Sequence, residues 1–312
     1  MKKIKILFIK FLFFIIGNLP FSIIYIISNF LSFIVHYLIR YRVGVVENNL
    51  KSSNLNLNSK QIKVLKKKFY RHFCDIYLEM IKLDFLNKKQ IKERFNVLNP
   101  EVADNFTIKG KSVILMVSHY GGYEWCTTLD CFFEHQVAAI YSPLKDKELE
   151  KLTLKSRGKH GIKLISRYTA LDDIRNLEKS GNKILYGFMA DQSPRIRKIN
   201  YWSKFLGVEV PVFTGAERMA KELNLPVVFA KMSKIKRGKY EMKLELITDN
   251  PNSLKDFEIT EKYLSLVENQ IHEDPTYYFC TLISIHPCYK RTANFLLYII
   301  FIHSVLLYLH SR

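Results

Sequence analysis

The chain has 312 residues, of which 48% are hydrophobic and 13% aromatic, a composition that excludes a disordered chain and a small disulfide scaffold. Lys and Arg outnumber Asp and Glu by 48 to 29, and the resulting formal charge of +19 favours a polyanionic partner. The aromatic residues form no RNA-binding pattern with the basic ones, so we predict no nucleic-acid partner. The five cysteines include no CxxC pair, and we predict reduced thiols in a cytosol-facing domain, no metal site and no cofactor.

The first 42 residues are strongly apolar and predict an N-terminal membrane anchor. Residues 4–16 and 19–39 carry few charges, and the second run is about as long as a helix that crosses the hydrocarbon. No small-residue cleavage site follows, which favours an uncleaved segment. Lys and Arg flank the run on both sides, so charge does not decide its orientation. An alternative is two interfacial helices that are broken at residues 17–20 and lie flat among the lipid headgroups.

A basic amphipathic helix is predicted over residues 59–86. Apolar side chains recur there at helical spacing, and lysines occupy the positions between them. The basic face is either an ordinary solvated surface or a surface suited to anionic lipid.

From residue 90 onward, short strands alternate with helices, an order that predicts an α/β fold. Strands are predicted at 112–117, 137–141, 163–165, 183–189 and 227–231, and helices at 123–133, 147–159, 171–179 and 216–223. A hairpin of 227–232 and 240–247 and a helix at 258–272 follow. We place this domain at residues 43–290, and we predict an apolar tail at 291–312 as a second membrane-associated segment.

His119 is the strongest candidate for a catalytic residue. It follows the predicted strand 112–117 and precedes Gly121 and Gly122, so it lies in a tight turn at a strand end, where a side chain can meet substrate. A neutral imidazole there could remove a proton from a hydroxyl group, and a carboxylate could fix its tautomer. Glu124, five residues later, could fold back to the ring. No nucleophile elbow or catalytic cysteine signature accompanies the pair, which favours direct attack by the substrate.

Four further stretches accompany His119 and Glu124. The first is Tyr41-Arg42-Val43-Gly44-Val45-Val46-Glu47-Asn48-Asn49-Leu50, and the second combines Tyr141-Ser142-Pro143-Leu144-Lys145 with Lys155-Ser156-Arg157-Gly158. The third is Met189-Ala190-Asp191-Gln192-Ser193-Pro194, and the fourth includes Phe205-Leu206-Gly207 and Pro211-Val212-Phe213-Thr214-Gly215-Ala216. With the His-x4-Glu pair, these resemble the late lauroyl/myristoyl acyltransferases of lipid A biosynthesis, within the lysophospholipid acyltransferase-like superfamily.

The resemblance implies a fold, a reaction and a location. It implies a mixed sheet flanked by helices, in a protein anchored in the bacterial inner membrane with its catalytic domain facing the cytoplasm. The implied reaction moves a fatty acyl chain from acyl carrier protein to a hydroxyl group of a Kdo-lipid A precursor. His119 would be the general base and Glu124 its orienting partner. The basic charge would then meet the acidic carrier, the phosphates of the acceptor and membrane lipid.

Five more residues are predicted to bind substrate. Arg157 would hold a phosphate, since a guanidinium group suits bidentate phosphate contacts, or it is a surface charge. Asp191 and Gln192 would line the site, although Asp191 could equally cap a turn. Thr214 and Gly215 open a helix whose free N–H groups could hold a phosphate or an oxyanion, or they form a plain N-cap. Further candidate contacts are Arg195, Arg197, Lys198 and residues 234–239.

The chain departs from the family pattern in two places. Ser142 stands where a basic residue is usual, and after Phe279 the expected Trp and His-basic run is replaced by Cys280-Thr281-Leu282-Ile283-Ser284. Two alternatives therefore stay open. The chain could acylate another lipid, such as a glycerophospholipid or an aminolipid, or it could be a membrane-docked basic protein inactivated by its divergent C-terminus.

Overall fold

A computed structural model describes residues 2–194 and 199–278 of the chain. The predicted contacts at Arg195, Arg197 and Lys198 lie outside the described residues. The divergent sequence from Phe279 onward and the predicted tail at 291–312 lie outside them as well. The boundaries proposed for the anchor, the domain and the tail remain predictions.

The N-terminal apolar region forms two helices that are separated at Leu19 and Pro20. Helix α1 is Lys2–Asn18 and helix α2 is Phe21–Phe33, which continues as a π-helix, Ile34–Leu38. Pro20 precedes the first residue of α2, a position where its fixed φ and missing N–H disturb no helical hydrogen bond. The break falls within the predicted residues 17–20. Helix α3, Val43–Ser52, follows.

The predicted basic helix is present as α4, Ser59–Leu83, and it runs antiparallel to α2. A capping box between Asn58 and Gln61 starts it. Side chains of α2 and of the π-helix meet side chains of α4 at three positions, which fixes both segments along the surface of the domain. The pairs are Tyr25 Oη to Glu79 Oε1 at 3.0 Å, Ser28 Oγ to Asp75 Oδ1 at 2.6 Å, and the rings of His36 and Tyr70 at 4.5 Å.

The remaining elements build an α/β domain, as predicted. The strands are β1 Phe95–Val97, β2 Val113–Val117, β3 Gln136–Tyr141, β4 Lys163–Ser166, β5 Ile184–Met189, β6 Trp202–Phe205, β7 Val208–Pro211, β8 Val227–Lys236 and β9 Lys239–Thr248. The helices are α5 Lys88–Lys92, α6 Glu101–Ile108, α7 Lys147–Arg157, α8 Ala170–Lys179, α9 Gly215–Leu223 and α10 Glu258–Glu273.

Seven of the described strands form one mixed sheet in the order β1-β9-β8-β2-β5-β3-β4. All neighbours are parallel except the β8–β9 hairpin. The central strand β2 is buried on both faces. Val113, Leu115 and Val117 pack in the cluster that includes α4, whereas Ile114 and Met116 pack in the cluster that includes α9 and α10. Two covered faces explain why β2 is continuously apolar rather than alternating.

Several features differ from the sequence predictions, which also did not include helices α3, α5 and α6. The short strand β1 and the separate β6–β7 hairpin were not predicted, and residues 123–133 form a 3₁₀-helix, Tyr123–Cys131, instead of an α-helix. The hydroxyl groups of Thr127 and Thr128 donate to the carbonyl groups three residues earlier, at Glu124 and Trp125. These local bonds compete with the i to i+4 bonds of an α-helix, which gives a physical reason for the tighter turn.

Candidate active site

His119 and Asp191 meet because they follow adjacent parallel strands. Val117 at the end of β2 is in register with Met189 at the end of β5. His119 lies two residues after Val117, and Asp191 lies two residues after Met189. Carboxyl ends of parallel strands share one edge of a sheet, which is where open α/β sheets bind ligands. The fold therefore explains how residues 72 positions apart in sequence form one site.

Asp191 holds His119 with both carboxylate oxygens. Its Oδ1 lies 2.7 Å from His119 Nδ1, and its Oδ2 accepts the backbone N–H of His119 at 2.8 Å. Asp191 is buried, whereas the imidazole retains partial exposure. A carboxylate accepts a hydrogen bond from Nδ1–H, so in the neutral imidazole this contact places the proton on Nδ1 and leaves Nε2 unprotonated. That is the tautomer required of a general base that acts through Nε2.

Gln192 covers the Nε2 side of the His119 ring. Its amide Nε2 lies 2.9 Å from His119 Nε2 and 3.4 Å from Nδ1. An amide NH₂ group is a donor, so the shorter contact agrees with an unprotonated Nε2. Asp191 and Gln192, predicted to line the site, both contact His119 directly.

Glu124 does not contact His119 among the described residues; it pairs with Arg157 of α7. Both carboxylate oxygens accept from Arg157 Nη2, at 2.9 and 3.2 Å. Glu124 is buried, and its charge raises the pKa of Arg157. Tyr123 lies beside the pair, with its ring 5.1 Å from the imidazole of His119. Burial, followed by the charge of Glu124, raises the pKa of Tyr123 well above its usual value, so the phenol stays neutral.

The turn between His119 and Glu124 is supported by His72, which the sequence did not indicate as a site residue, and by Lys234, which it indicated only as a candidate surface contact. His72 of α4 donates from Nε2 to the carbonyl of Gly121 at 3.0 Å, and Lys234 of β8 donates to His72 Nδ1 at 2.9 Å. Gly121 has a φ of +55°, a conformation that favours glycine. A Cβ atom on Gly122 would lie 2.6 Å from the ring of Tyr240, so this position also has no room for a larger residue. His72 and Lys234 carry no recognisable motif.

The last described residues also contact this turn. Gly121 N–H donates to the carbonyl of Tyr277 at 3.0 Å, and Tyr120 forms a bridge with Tyr278. The hydroxyl of Tyr278 donates to the carbonyl of Asp191 at 3.3 Å. Tyr277 and Tyr278, directly before the divergent sequence, therefore support the turn that carries His119.

A comparison with known protein families gives the family of the chain. The family profile described as "Bacterial lipid A biosynthesis acyltransferase" matches residues 2–291. The chain belongs to this family. It is therefore an acyltransferase of lipid A biosynthesis. A comparison with curated proteins found no match.

The other predicted contacts of this acyltransferase lie in different environments. Thr214 is the N-cap residue of α9 and caps it through no side-chain hydrogen bond; neither it nor Gly215 contacts His119 or Asp191 within the described ranges. In the basic group at 234–239, Lys234 and Arg237 pair with the buried Asp75, and Lys236 and Lys239 are exposed. In the part of the chain that the structure describes, His, Cys, Asp and Glu form no cluster of metal-ligand type.

Proposed function

We propose that this acyltransferase moves a fatty acyl chain from acyl carrier protein to a hydroxyl group of a Kdo-lipid A precursor, with His119 as the general base. The observation that carries the proposal is the contact between His119 Nδ1 and Asp191 Oδ1 at 2.7 Å, which directs the basic Nε2 away from the carboxylate. The family supports an acyltransferase of lipid A biosynthesis. The donor, the acceptor hydroxyl and the roles of single residues are our inference.

The proposed reaction is a direct transfer. His119 Nε2 accepts the proton of the acceptor hydroxyl as its oxygen attacks the carbonyl carbon of the thioester. The carbon–sulfur bond then breaks, and the imidazolium returns the proton to the departing thiolate. Asp191 stabilises the imidazolium between these steps. Gln192 occupies the position of the incoming hydroxyl beside Nε2, so its amide must move aside when the acceptor binds.

Glu124 and Arg157 have a binding role in this proposal. Arg157 would face a phosphate of the acceptor or of the carrier's prosthetic arm, because guanidinium groups pair well with phosphate. Glu124 holds one Nη of Arg157 from the buried side, while about a quarter of the Arg157 side chain remains exposed. The assignment of Glu124 as the direct partner of His119 stays a prediction, and the described geometry favours Asp191 for that position. Roles for Thr214 and Gly215 also stay predictions.

The location that we propose is the inner membrane, with the catalytic domain on the cytoplasmic side. Phe21–Leu38 is the one described helix that is long and apolar enough to cross a membrane, by length and composition, with a mean hydropathy of 1.7. Its length is about 27 Å at 1.5 Å per residue. Exposed apolar side chains on α1 and α2 face away from the domain: Leu7, Phe11, Phe14, Ile26, Phe30, Phe33 and Leu38.

The contacts of α2 favour a helix that lies in the membrane interface. Tyr25 and Ser28 lie about 6 to 11 Å from its first residue, and they bind the buried carboxylates Glu79 and Asp75. If α2 crossed the bilayer in this arrangement, those charged groups and α4 would enter the hydrocarbon, at a cost of several kcal/mol. A helix pair with one face on the domain and the other in the lipid avoids that cost.

Mass spectrometry of lipid A tests the proposed reaction. A deletion strain should lack one acyl chain, and the wild-type gene should restore it. The His119→Ala variant should restore at least about 100-fold less product, the contribution of a general base, at equal protein level in the membrane fraction. Unchanged lipid A together with altered phospholipid or aminolipid would indicate another acceptor. Full restoration by His119→Ala would exclude His119 as the base.

A further inference from the structure

A basic cavity lies away from His119, at the far end of α2. It has a volume of about 380 Å³ and is formed by the π-helix, α3 and the start of α4. We call it the α2–α3–α4 cavity, and its charged wall consists of Arg40, Glu47, Lys51, Lys63 and Lys66. A volume of this size is within the range of small-ligand sites. The residues of the proposed reaction do not line it.

The charges of this cavity are unbalanced. Four cations face a single carboxylate, Glu47, and that carboxylate is already occupied. Its oxygens contact Lys51 at 2.7 Å and Lys66 at 2.5 Å, and these lysines lower the pKa of Glu47 to about 2. Arg40 and Lys63 have no carboxylate partner among the described residues. A cavity with uncompensated cations attracts an anion, and phosphate oxygens match both guanidinium and ammonium groups.

The position of the cavity selects the kind of phosphate. Its rim includes Tyr37, which is half-exposed and stacks on His36, and the neighbouring Phe33 and Leu38 are exposed. These residues continue the apolar face of α1 and α2. Aromatic rings beside an apolar face are typical of protein that lies at the depth of lipid headgroups. The cations therefore lie where the phosphates of a membrane lipid would be when that apolar face is buried.

We propose that the α2–α3–α4 cavity binds the phosphate headgroup of an anionic membrane lipid, with Arg40 and Lys63 as its principal contacts. The proposal rests on the proposed membrane attachment and adds a specific lipid contact to it. This contact holds the protein at a defined depth and rotation about α2. It is separate from the binding of the acceptor at His119.

Vesicle flotation of the purified full-length chain tests the site. Wild type is compared with the double variant Arg40→Gln/Lys63→Gln on phosphatidylcholine vesicles and on vesicles that contain about one quarter phosphatidylglycerol. The matched control is Lys109→Gln/Lys111→Gln, which removes the same charge from two exposed lysines outside the cavity. Binding to phosphatidylcholine vesicles reports the membrane attachment alone. If wild type did not bind them, the proposed membrane attachment would be contradicted, rather than the lipid site.

We expect the affinity of the cavity variant for the anionic vesicles to fall about 30-fold, which is the contribution of two basic side chains to binding at an anionic lipid surface. Its affinity for phosphatidylcholine vesicles should not change. The control variant should lose less than about three-fold at physiological salt, because exposed charges at a distance are screened. Equal losses in the two variants would overturn the proposal and leave only bulk charge attraction.

Two further measurements distinguish a membrane lipid from inorganic phosphate and from the acceptor as the ligand of the cavity. Calorimetric titration of the detergent-solubilised protein with inorganic phosphate alone should show no binding that depends on Arg40 and Lys63. Binding of free phosphate that the cavity variant loses would overturn the lipid assignment in favour of a soluble phosphate. The KM for the acceptor, measured in detergent micelles, should be the same in the cavity variant and wild type. A raised KM would instead assign the cavity to the acceptor.

Discussion

Substitution of the two acidic residues near His119 separates the orienting carboxylate from the one that supports Arg157. In Asp191→Asn, the amide can accept only one of the two hydrogen bonds that the carboxylate accepts, from His119 Nδ1 and from its backbone N–H. If the NH₂ group faces Nδ1, the imidazole must carry its proton on Nε2 and cannot act as the base. We expect kcat to fall by about 10² to 10⁴, which corresponds to about 3 to 5 kcal/mol of barrier.

Glu124→Gln should have a different signature. It leaves the Arg157 guanidinium without its counterion in a largely buried position. Loss of one partner of a buried ion pair costs about 3 to 5 kcal/mol, and the partial exposure of Arg157 reduces this to about 2 kcal/mol by solvation. We expect a lower unfolding midpoint and a raised KM for the phosphorylated acceptor, with a smaller loss of kcat than in Asp191→Asn.

The assay combines steady-state kinetics in detergent with thermal unfolding of the same preparations. Kinetics are compared at equal folded fraction, so that lost stability is not counted as lost catalysis. Glu124→Asp serves as the conservative control, since it keeps the charge beside Arg157. The reasoning would be refuted if Glu124→Gln lost 10² or more in kcat with an unchanged unfolding midpoint, while Asp191→Asn kept a near wild-type kcat. Glu124 would then be the orienting partner.

Three other substitutions, one of them with a matched control, test the surroundings of the site. Gln192→Ala should change kcat by less than about ten-fold, because its amide must leave Nε2 for the hydroxyl to bind; a 100-fold loss would indicate a positive catalytic role. Asp75→Asn should lower the free energy of unfolding by about 3 to 5 kcal/mol, because Lys234 and Arg237 lose their shared carboxylate. The control is Asp172→Asn, which breaks an exposed ion pair with Arg175 and should lower the free energy of unfolding by less than about 1 kcal/mol. Equal losses in the two variants would contradict a stabilising role of the ion pairs of Asp75. Burial and Lys234 lower the pKa of His72 well below its usual value, so the unfolded chain binds this proton first as the pH falls. Stability from His72 should therefore be lost below about pH 6.5, with a slope of up to about 1.4 kcal/mol per pH unit that His72→Gln removes; the buried Glu79, with its raised pKa, contributes with the opposite sign in wild type and variant alike. Identical slopes in denaturation series of the two proteins would show that His72 does not carry this effect.

Local sequence pattern was sufficient to predict β2, β5, α7 and α8, because apolar spacing and the turn residues that bound each segment identify such elements without knowledge of strand order. The same pattern was sufficient to place His119 at a sheet edge, since that residue follows a strand and precedes two glycines. The choice of its partner depends on strand order. Asp191 reaches His119 only because β5 pairs with β2, and a five-residue spacing contains no information on that pairing. Neighbours in sequence therefore favoured Glu124, whereas neighbours in space favour Asp191.

Sequence spacing also gives no information on the polar residues that support the turn after His119. These residues connect α2, which we propose to contact the membrane, to the proposed general base. Ser28 of α2 donates to Asp75, which pairs with Lys234, which donates to His72, which donates to the carbonyl of Gly121. Each of these side chains is buried or nearly so, and each contact joins two different elements of the fold. An unpaired buried polar group is costly, so a change at one member requires compensation at the next. Helix α2, which we propose to face the lipid, is thus joined through four polar contacts to the backbone two residues from His119. Displacement of α2 from the domain would leave the support of that turn incomplete.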